Sequence, residues 1–359
     1  MSNLNKIFEI AINKKASDIH LTNGAKPILR IDGELTSLND FTVNTPDMLS
    51  QVVHKILNKQ NFEKYKANKF IDTSMNYGDT RFRVHIYRQK GYDAIALRLI
   101  PNVIPSFSDL NLPLSLKKFT TTRNGLVLVT GVTGSGKSTT LAALIDEINE
   151  NYKRHIITVE DPIEFIHKHK KSIINQKEVG VDVNNFSDAV KSAMREDPDI
   201  LLVGEMRDLD TITNTITMAE TGHLVFGTLH TRSVAEAVDR IIDVFPSNQQ
   251  KQIRIQLANS IKGIVSQELL PKIGGGRVPC CEILFVTDAI KNLIREGKNP
   301  NSILDQIQMT SRKMGSQTKI QALAKLTVNN LITKEIAMKN IGIKEKQHLD
   351  RMITAMSKH

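Results

Sequence analysis

The sequence predicts an α/β protein in two parts. Residues 1–100 read as an α+β domain, 101–114 as a linker, and 115–359 as a domain on a mostly parallel sheet with a helical C-terminal portion. Three observations predict this. Up to residue 100, short helical and alternating patterns are mixed. The stretch "PNVIPSFSDLNLPL" (101–114) holds three prolines, which fix φ and remove donors, so it reads as extended. Beyond it, apolar strands alternate with helical segments, the order that gives a parallel sheet covered on both faces.

In the first part, Leu4, Ile7, Phe8, Ile10 and Ala11 have helical spacing over 3–16, and Ser17-Asp18 breaks it. "PILRIDGEL" (27–35) carries Asp-Gly between alternating segments, a hairpin signal. "TRFRVHIYRQ" (80–89) puts Phe82, Val84 and Ile86 on one face and Arg81, Arg83 and His85 on the other, and "DAIALRLIP" (93–101) reads as its partner.

In the second part, "GLVLVTG" (125–131), "HIITVED" (155–161), 199–204 and "HLVFGTLH" (223–230) read as strands. Helices are predicted at 137–150, over Phe186 to Glu196, and in "SVAEAVDRIIDVF", which stops at Pro246. After about 247 the chain reads as largely helical, interrupted by a hairpin in "KIGGGRVPCCEILFV".

The bulk numbers exclude some classes. No apolar run approaches the roughly 18–20 residues needed to span a bilayer, and the N-terminus lacks a signal-peptide core, so a cytoplasmic chain is expected. A net charge of +10, from 48 basic and 38 acidic residues, permits an anionic membrane surface or an acidic partner. Aromatics are 5% of residues and do not cluster among the basic ones, so no nucleic-acid partner is expected. Cys280 and Cys281 are neighbours, and Cα atoms about 3.8 Å apart are closer than the usual disulfide separation. With no further cysteine there is no four-thiolate zinc site, and the pair reads as two half-buried residues at the start of a strand.

"GVTGSGKST" (131–139) matches G-x-x-x-x-G-K-[ST] directly after a strand and before a helix, the context a phosphate loop requires. Gly131, Gly134 and Gly136 let backbone N–H groups of the loop, Thr133 and Ser135 included, turn inward around phosphate. Lys137 supplies charge, Ser138 a Mg²⁺ ligand, and the turn Ser138-Thr139 opens the helix whose dipole favours an anion. A nucleoside triphosphate and Mg²⁺ are the expected ligands. Hydrolysis also needs carboxylates and cations. "TVEDPIEF" (158–165) sets Glu160, Asp161 and Glu164 at one strand end, and Glu205 ends the strand of "ILLVGEMRD" (200–208), where Gly204 stands in the place often held by aspartate. His223 and His230 flank a further strand.

These four segments resemble the Walker A, Asp, Walker B and His boxes of the secretion ATPase superfamily, the ring motors of type II secretion and type IV pili. Within it the chain is most similar to the PilT family of pilus retraction ATPases, over about residues 5–335, through "ASDIHL", "RFRV", "TGSGKSTTLAA", "EDPIEF", "REDPDILLVGEMRD", "AETGHLVFGTLHT" and "KIGGGRV". "AIKNLIREGK" (289–298) resembles that family's C-terminal signature; by spacing alone it is an amphipathic helix with Ile290, Leu293 and Ile294 on one face.

The resemblance implies that Gly204 is a family trait, that Glu205 acts on Mg²⁺ and its water, and that Glu164 is the general base. It implies His230 at the γ-phosphate with His223 nearby, and Arg81, Arg83 and Arg98 reaching toward phosphates. It implies ATP as the nucleotide, a PAS-like N-terminal domain, a RecA-like ATPase domain, a homohexamer and a motor for pilus retraction and twitching motility. Its partners would be an inner-membrane platform protein and PilB-like or PilU-like ATPases, at the cytoplasmic face of the plasma membrane. Val132 and Lys291 depart from the family pattern, which usually has proline and arginine there. A PilU-like accessory ATPase and a nucleotide-binding module with little turnover are the alternatives. Assembly ATPases often carry a four-cysteine zinc element, which two cysteines cannot supply.

Overall fold

The computed structural model describes residues 2–357 apart from 32, 101–102, 298–301 and 304–313. The chain forms two compact units, one of 1–103 with Glu164–Ile166, the other of 104–163 with 167–359.

In the first unit, helix α1 (Ser2–Asn13) buries Leu4, Ile7, Phe8 and Ala11, the face its spacing predicts. The sheet contains β1 (Asp18–Leu21), β2 (Ile28–Ile31), β3 (Glu34–Ser37), β4 (Phe70–Tyr77), β5 (Thr80–Gln89) and β6 (Tyr92–Ile100) in the order β3-β2-β1-β6-β5-β4, every pair antiparallel. β2 and β3 form the predicted hairpin, although Asp32 of its turn lies outside the described residues. Phe82, Val84 and Ile86 of β5 are fully buried, as alternation requires. Helices α2 (Pro46–Ile56) and α3 (Lys59–Asn68) start at side-chain caps, Thr45 and Asn58.

The second unit is built on a seven-stranded sheet, β13-β12-β7-β11-β10-β8-β9. Its strands are β7 (Gly125–Thr130), β8 (His155–Glu160), β9 (Ile173–Glu178), β10 (Ile200–Val203), β11 (Leu224–Leu229), β12 (Ile261–Pro271) and β13 (Arg277–Phe285). All pairs are parallel except β12 with β13. β7, β10 and β11 are buried along their whole length because helices cover both faces, which explains their unbroken apolar runs. Those helices are α4 (Lys137–Asn151), α5 (Phe186–Ala193), α6 (Leu209–Glu220), α7 (Val234–Asp243), α8 (Ser247–Ser260) and α9 (Asp288–Glu296).

Several expectations needed correction. Of the stretch read as a linker, 101–102 lie outside the described residues, while Phe107 and Leu112 are buried in the second unit's core. The three prolines there made a packed segment read as free chain. β12 was expected within a largely helical region. It is a strand because it pairs with both β7 and β13, and at Gly263 a Cβ would overlap the Phe119 ring. Cys280 and Cys281 lie in the middle of β13, fully buried rather than half-buried at its start. Successive side chains point to opposite faces, so Cys281 joins the core under α4 and Cys280 packs with the C-terminal helices.

Those helices are α10 (Lys319–Val328), α11 (Lys334–Lys339) and α12 (Lys346–Met356). Leu349 in the lysine-rich tail is completely buried among them. α9 buries Ile290 and Ile294 as its spacing predicts; Lys298, the last residue of that signature, lies outside the described residues. Among the described residues no helix is long and apolar enough to cross a membrane.

Candidate functional site

Four strand ends meet at one edge of the second sheet. Val203 pairs with Val159 on one side and Gly227 on the other, and Thr130 pairs with Leu229. Because β7, β11, β10 and β8 run parallel in this register, their C-terminal ends carry the loop from Gly131, His230, Glu205 and Glu160 side by side. This is the edge at which open α/β sheets bind ligands.

The loop 131–136 passes directly into α4, with Gly134 and Gly136 at φ of +79° and +86°, a region closed to most side chains. Lys137 Nζ donates to Gly131 O at 2.7 Å and to Val132 O at 3.1 Å, which holds the ammonium across the loop. Ser138 and Thr139 follow in the first turn, half-buried; Thr133 is exposed and Ser135 buried. N–H groups at a helix start have no intrahelical acceptor, so with Lys137 this end of α4 suits an anion.

Gly204 has a spatial reason. Its N–H donates to Val159 O at 2.7 Å, and a Cβ on residue 204 would stand 2.9 Å from that oxygen and 3.2 Å from Glu160 Cα. β10 and β8 are too close there for any side chain. Two residues on, Met206 N donates to Thr228 O at 3.1 Å, and its sulfur occupies the space that a Cβ on Gly227 would need. With Thr228 Oγ1 donating to Gly204 O at 2.5 Å, the two glycines and Met206 pin the backbone on both sides of Glu205.

Glu205 is half-buried. His230 Nε2 lies 2.6 Å from its Oε1, and Arg207 Nε pairs with the same oxygen. Glu160 Oε1 accepts from Thr158 Oγ1 at 2.7 Å and Gln176 Nε2 at 3.2 Å. Glu178, buried at the end of β9, accepts from Ile163 N at 3.2 Å and so anchors the loop after Glu160. The sequence reading missed β9, Gln176 and Glu178, because "IINQKE" has mixed polarity on an edge strand. It missed Arg207 too, although that residue stands two positions beyond Glu205.

Not every predicted residue joins this group. His223 precedes β11, where its carbonyl accepts from Gly125 N at 2.9 Å and its Nδ1 faces Met218 O at 3.1 Å. At about 3.3 Å per residue, the length of β11 sets it roughly 20 Å from His230, at the opposite end of the strand. The structure therefore does not bring His223 to the phosphate-loop edge. Glu164 is exposed and groups with the first unit.

Arg81, Arg83 and Arg98 share one face of the first sheet, with Arg83 directly opposite Arg98 across β5 and β6. Arg98 Nε pairs with Asp18 Oδ1 at 2.8 Å, and Arg81 Nη2 donates to Ser74 Oγ at 2.7 Å. Burial works against ionisation of Asp18, yet hydrogen bonds from Arg98 and Ser17 outweigh it and hold the carboxyl below its ordinary value. Asp18 belongs to "ASDIHL", and only the cross-strand register reveals that it orients an arginine.

A buried carboxylate organises the segment after His230. Glu282 on β13 accepts from Val234 N, the first residue of α7, at 2.9 Å, and from the backbone N–H of Lys319, the first residue of α10. It thus serves two helix N-termini at once. Burial pushes its pKa above the ordinary carboxylate value, against the pull of those donors and the Lys319 charge.

Comparison with known proteins agrees with this geometry. Residues 1–275 match the model of the type II/IV secretion system protein family. The type IV pilus retraction ATPase PilT of Pseudomonas aeruginosa is 42% identical over 95% of this chain and 99% of its own length. The chain belongs to this family. PilU, a type IV pilus ATPase of the same organism, is 36% identical over 93% of this chain and 87% of its own. A crystal structure of the pilus retraction motor PilT with bound ADP superposes with a TM-score of 0.87 at 47% identity, covering 96% of this chain and 98% of that one. The expected architecture, an N-terminal domain followed by a RecA-like ATPase domain, is thereby borne out, and the chain is a PilT-type ATPase.

Proposed function

We propose that this PilT-type ATPase works as a homohexameric motor that retracts type IV pili, acting on an inner-membrane platform protein at the cytoplasmic face of the membrane. One observation carries the reading: a phosphate loop, two strand-end glutamates and His230 converge on one edge of a single, mostly parallel sheet. The relative named as a pilus retraction ATPase, similar over nearly the whole of both chains, supports the same direction of work.

In this reading Gly131 to Thr139 hold the nucleotide phosphates, with Lys137 turning from its loop carbonyls to the β- and γ-phosphates. The donors suit Mg²⁺, which usually takes one or two protein oxygens and completes its shell with phosphate and water. Ser138 Oγ and Glu205 would hold it, and it would supply charge stabilisation to the leaving phosphates. Glu205 is kept in place by His230 and Arg207, and His230 senses the terminal phosphate through that contact. Glu160 is fixed by Thr158 and Gln176 and borders the same edge. Glu164 is the general base, and Arg81, Arg83 and Arg98 supply positive charge to the phosphates. His223 has a structural part at the far end of β11.

The test is steady-state ATPase activity of the purified chain beside Glu205→Gln and Glu164→Gln, with solution mass measured in the same preparation. Turnover by a hexamer, lowered about 100-fold or more by either substitution, supports the engine. Failure of the gene to restore pilus retraction in cells lacking their own retraction ATPase would remove the pilus assignment and leave the enzyme.

A further inference from the structure

Beside the phosphate loop stands a side chain that the chemistry above does not use. Ser266 of β12 pairs with Thr130 of β7, so Gln267 comes just past the last pair, level with Gly131. Its Nε2 donates to Ser135 O at 2.8 Å, its Oε1 accepts from Thr140 Oγ1 at 2.8 Å, and Cys281 Sγ lies 3.7 Å from that oxygen. All four residues are buried. A carbonyl can only accept, so Ser135 dictates which way the amide faces.

Two glycines of the loop are shaped by this residue. A Cβ on Gly131 would overlap Gln267 O, and one on Gly136 would stand 2.8 Å from Gln267 Nε2. Gly134, between them, has nothing within 4 Å of where its Cβ would be. The outer glycines are therefore needed for contact with β12, while the middle one faces open space.

We propose that Gln267 is a positioning residue of the phosphate loop. One amide ties the loop's backbone at Ser135 to the first turn of α4 at Thr140, and so fixes the curve on which the inward N–H groups lie. It sets nucleotide affinity without touching the nucleotide. The inference rests on the loop being the nucleotide site.

ADP titration of the full-length chain in the presence of Mg²⁺ tests it, comparing wild type, Gln267→Leu, Gln267→Glu and Lys137→Ala. Gln267→Leu should bind ADP about tenfold more weakly or worse, since Ser135 O and Thr140 Oγ1 both lose their partner. Gln267→Glu repeats the shape but, when ionised, offers Ser135 O no donor. Its affinity should recover toward wild type as pH falls from about 8 to about 6 and the buried carboxyl takes up a proton. Wild-type affinity should change far less over that range.

A merely structural role would lower the thermal midpoint measured without nucleotide and leave the pH-dependence of ADP affinity as in wild type. Either that result or wild-type affinity in Gln267→Glu at pH about 8 overturns the proposal. If Gln267→Leu does not fold, the Glu variant decides alone. If wild type binds no better than Lys137→Ala, the nucleotide-site reading itself has failed.

Discussion

Gly204 and Val159 are joined by a 2.7 Å hydrogen bond across β10 and β8, at a spacing that leaves a side chain on residue 204 only 2.9 Å from the Val159 carbonyl. The aspartate that many nucleotide hydrolases carry at this strand end has no room here. The acid has moved one residue along, to Glu205.

Gly204→Asp should consequently damage the chain rather than improve it. Prising β10 from β8 is an overpacking error of about 1–3 kcal/mol, to which a new charge beside Glu160 adds. Urea unfolding should show the loss, and ATPase activity should fall with it. Gly204→Ala should show most of the packing loss without the charge. An active, fully stable Gly204→Asp would mean that the two strands part easily.

Asp18→Asn should loosen Arg98. Because the Asp18 carboxyl titrates below its ordinary value of 3.8 in the folded chain, its contribution is present above that pH. It is lost as pH falls through the lower folded value. The urea midpoints of wild type and Asp18→Asn should thus differ at neutral pH and converge only below pH 3.8, as pH falls through the lower folded value. Arg98 is 67% exposed in this pair, so the gap should not exceed about 1 kcal/mol.

Glu282 has the opposite sign. Its carboxyl titrates above the ordinary 4.5, so wild type loses stability as pH rises from there through the raised folded value. Glu282→Gln keeps an oxygen acceptor without the charge and should gain on wild type over that window. Glu282→Ala leaves the N–H groups of Val234 and Lys319 without their acceptor and should cost about 2–5 kcal/mol. Paired denaturation curves at several pH values separate the two effects.

Cys280 and Cys281 should be inert in the native protein. Burial pushes the Cys281 thiol up to about 12 and Cys280 well above its usual value, and neither side chain is exposed. Thiol labelling at pH about 8 should therefore be slow in the folded chain and reach both residues only after denaturation. Rapid native labelling would show that β13 opens.

The parts of this structure legible in the sequence are those whose signal is local. Phosphate-loop spacing, the alternation of β5 and the apolar runs of β7, β10 and β11 each state their own geometry. β12 did not, because "IKGIVSQELLP" acquires its conformation from the strands on either side. β9 did not, because an edge strand needs no apolar face. The site was half legible on the same grounds. Glu205, Glu160 and His230 stand at strand ends and can be read from the chain. Gln267, Glu282 and Asp18 act across strands remote in sequence, through a register no spacing rule supplies. His223 misled because flanking a strand does not say which end faces the ligand.

The carboxylate of Glu282 also limits how the chain can be recombined with its relatives. α10 to α12 contribute none of the predicted site residues and look like an exchangeable appendage. Yet the first N–H of α10 shares an acceptor with the first N–H of α7, four residues beyond His230. A chimaera that grafts foreign helices after residue 318 while keeping β13 must reproduce that N–H in place, or it will disturb the approach to His230 from behind. The natural cut for such a graft lies before β12, so that hairpin and helices travel together.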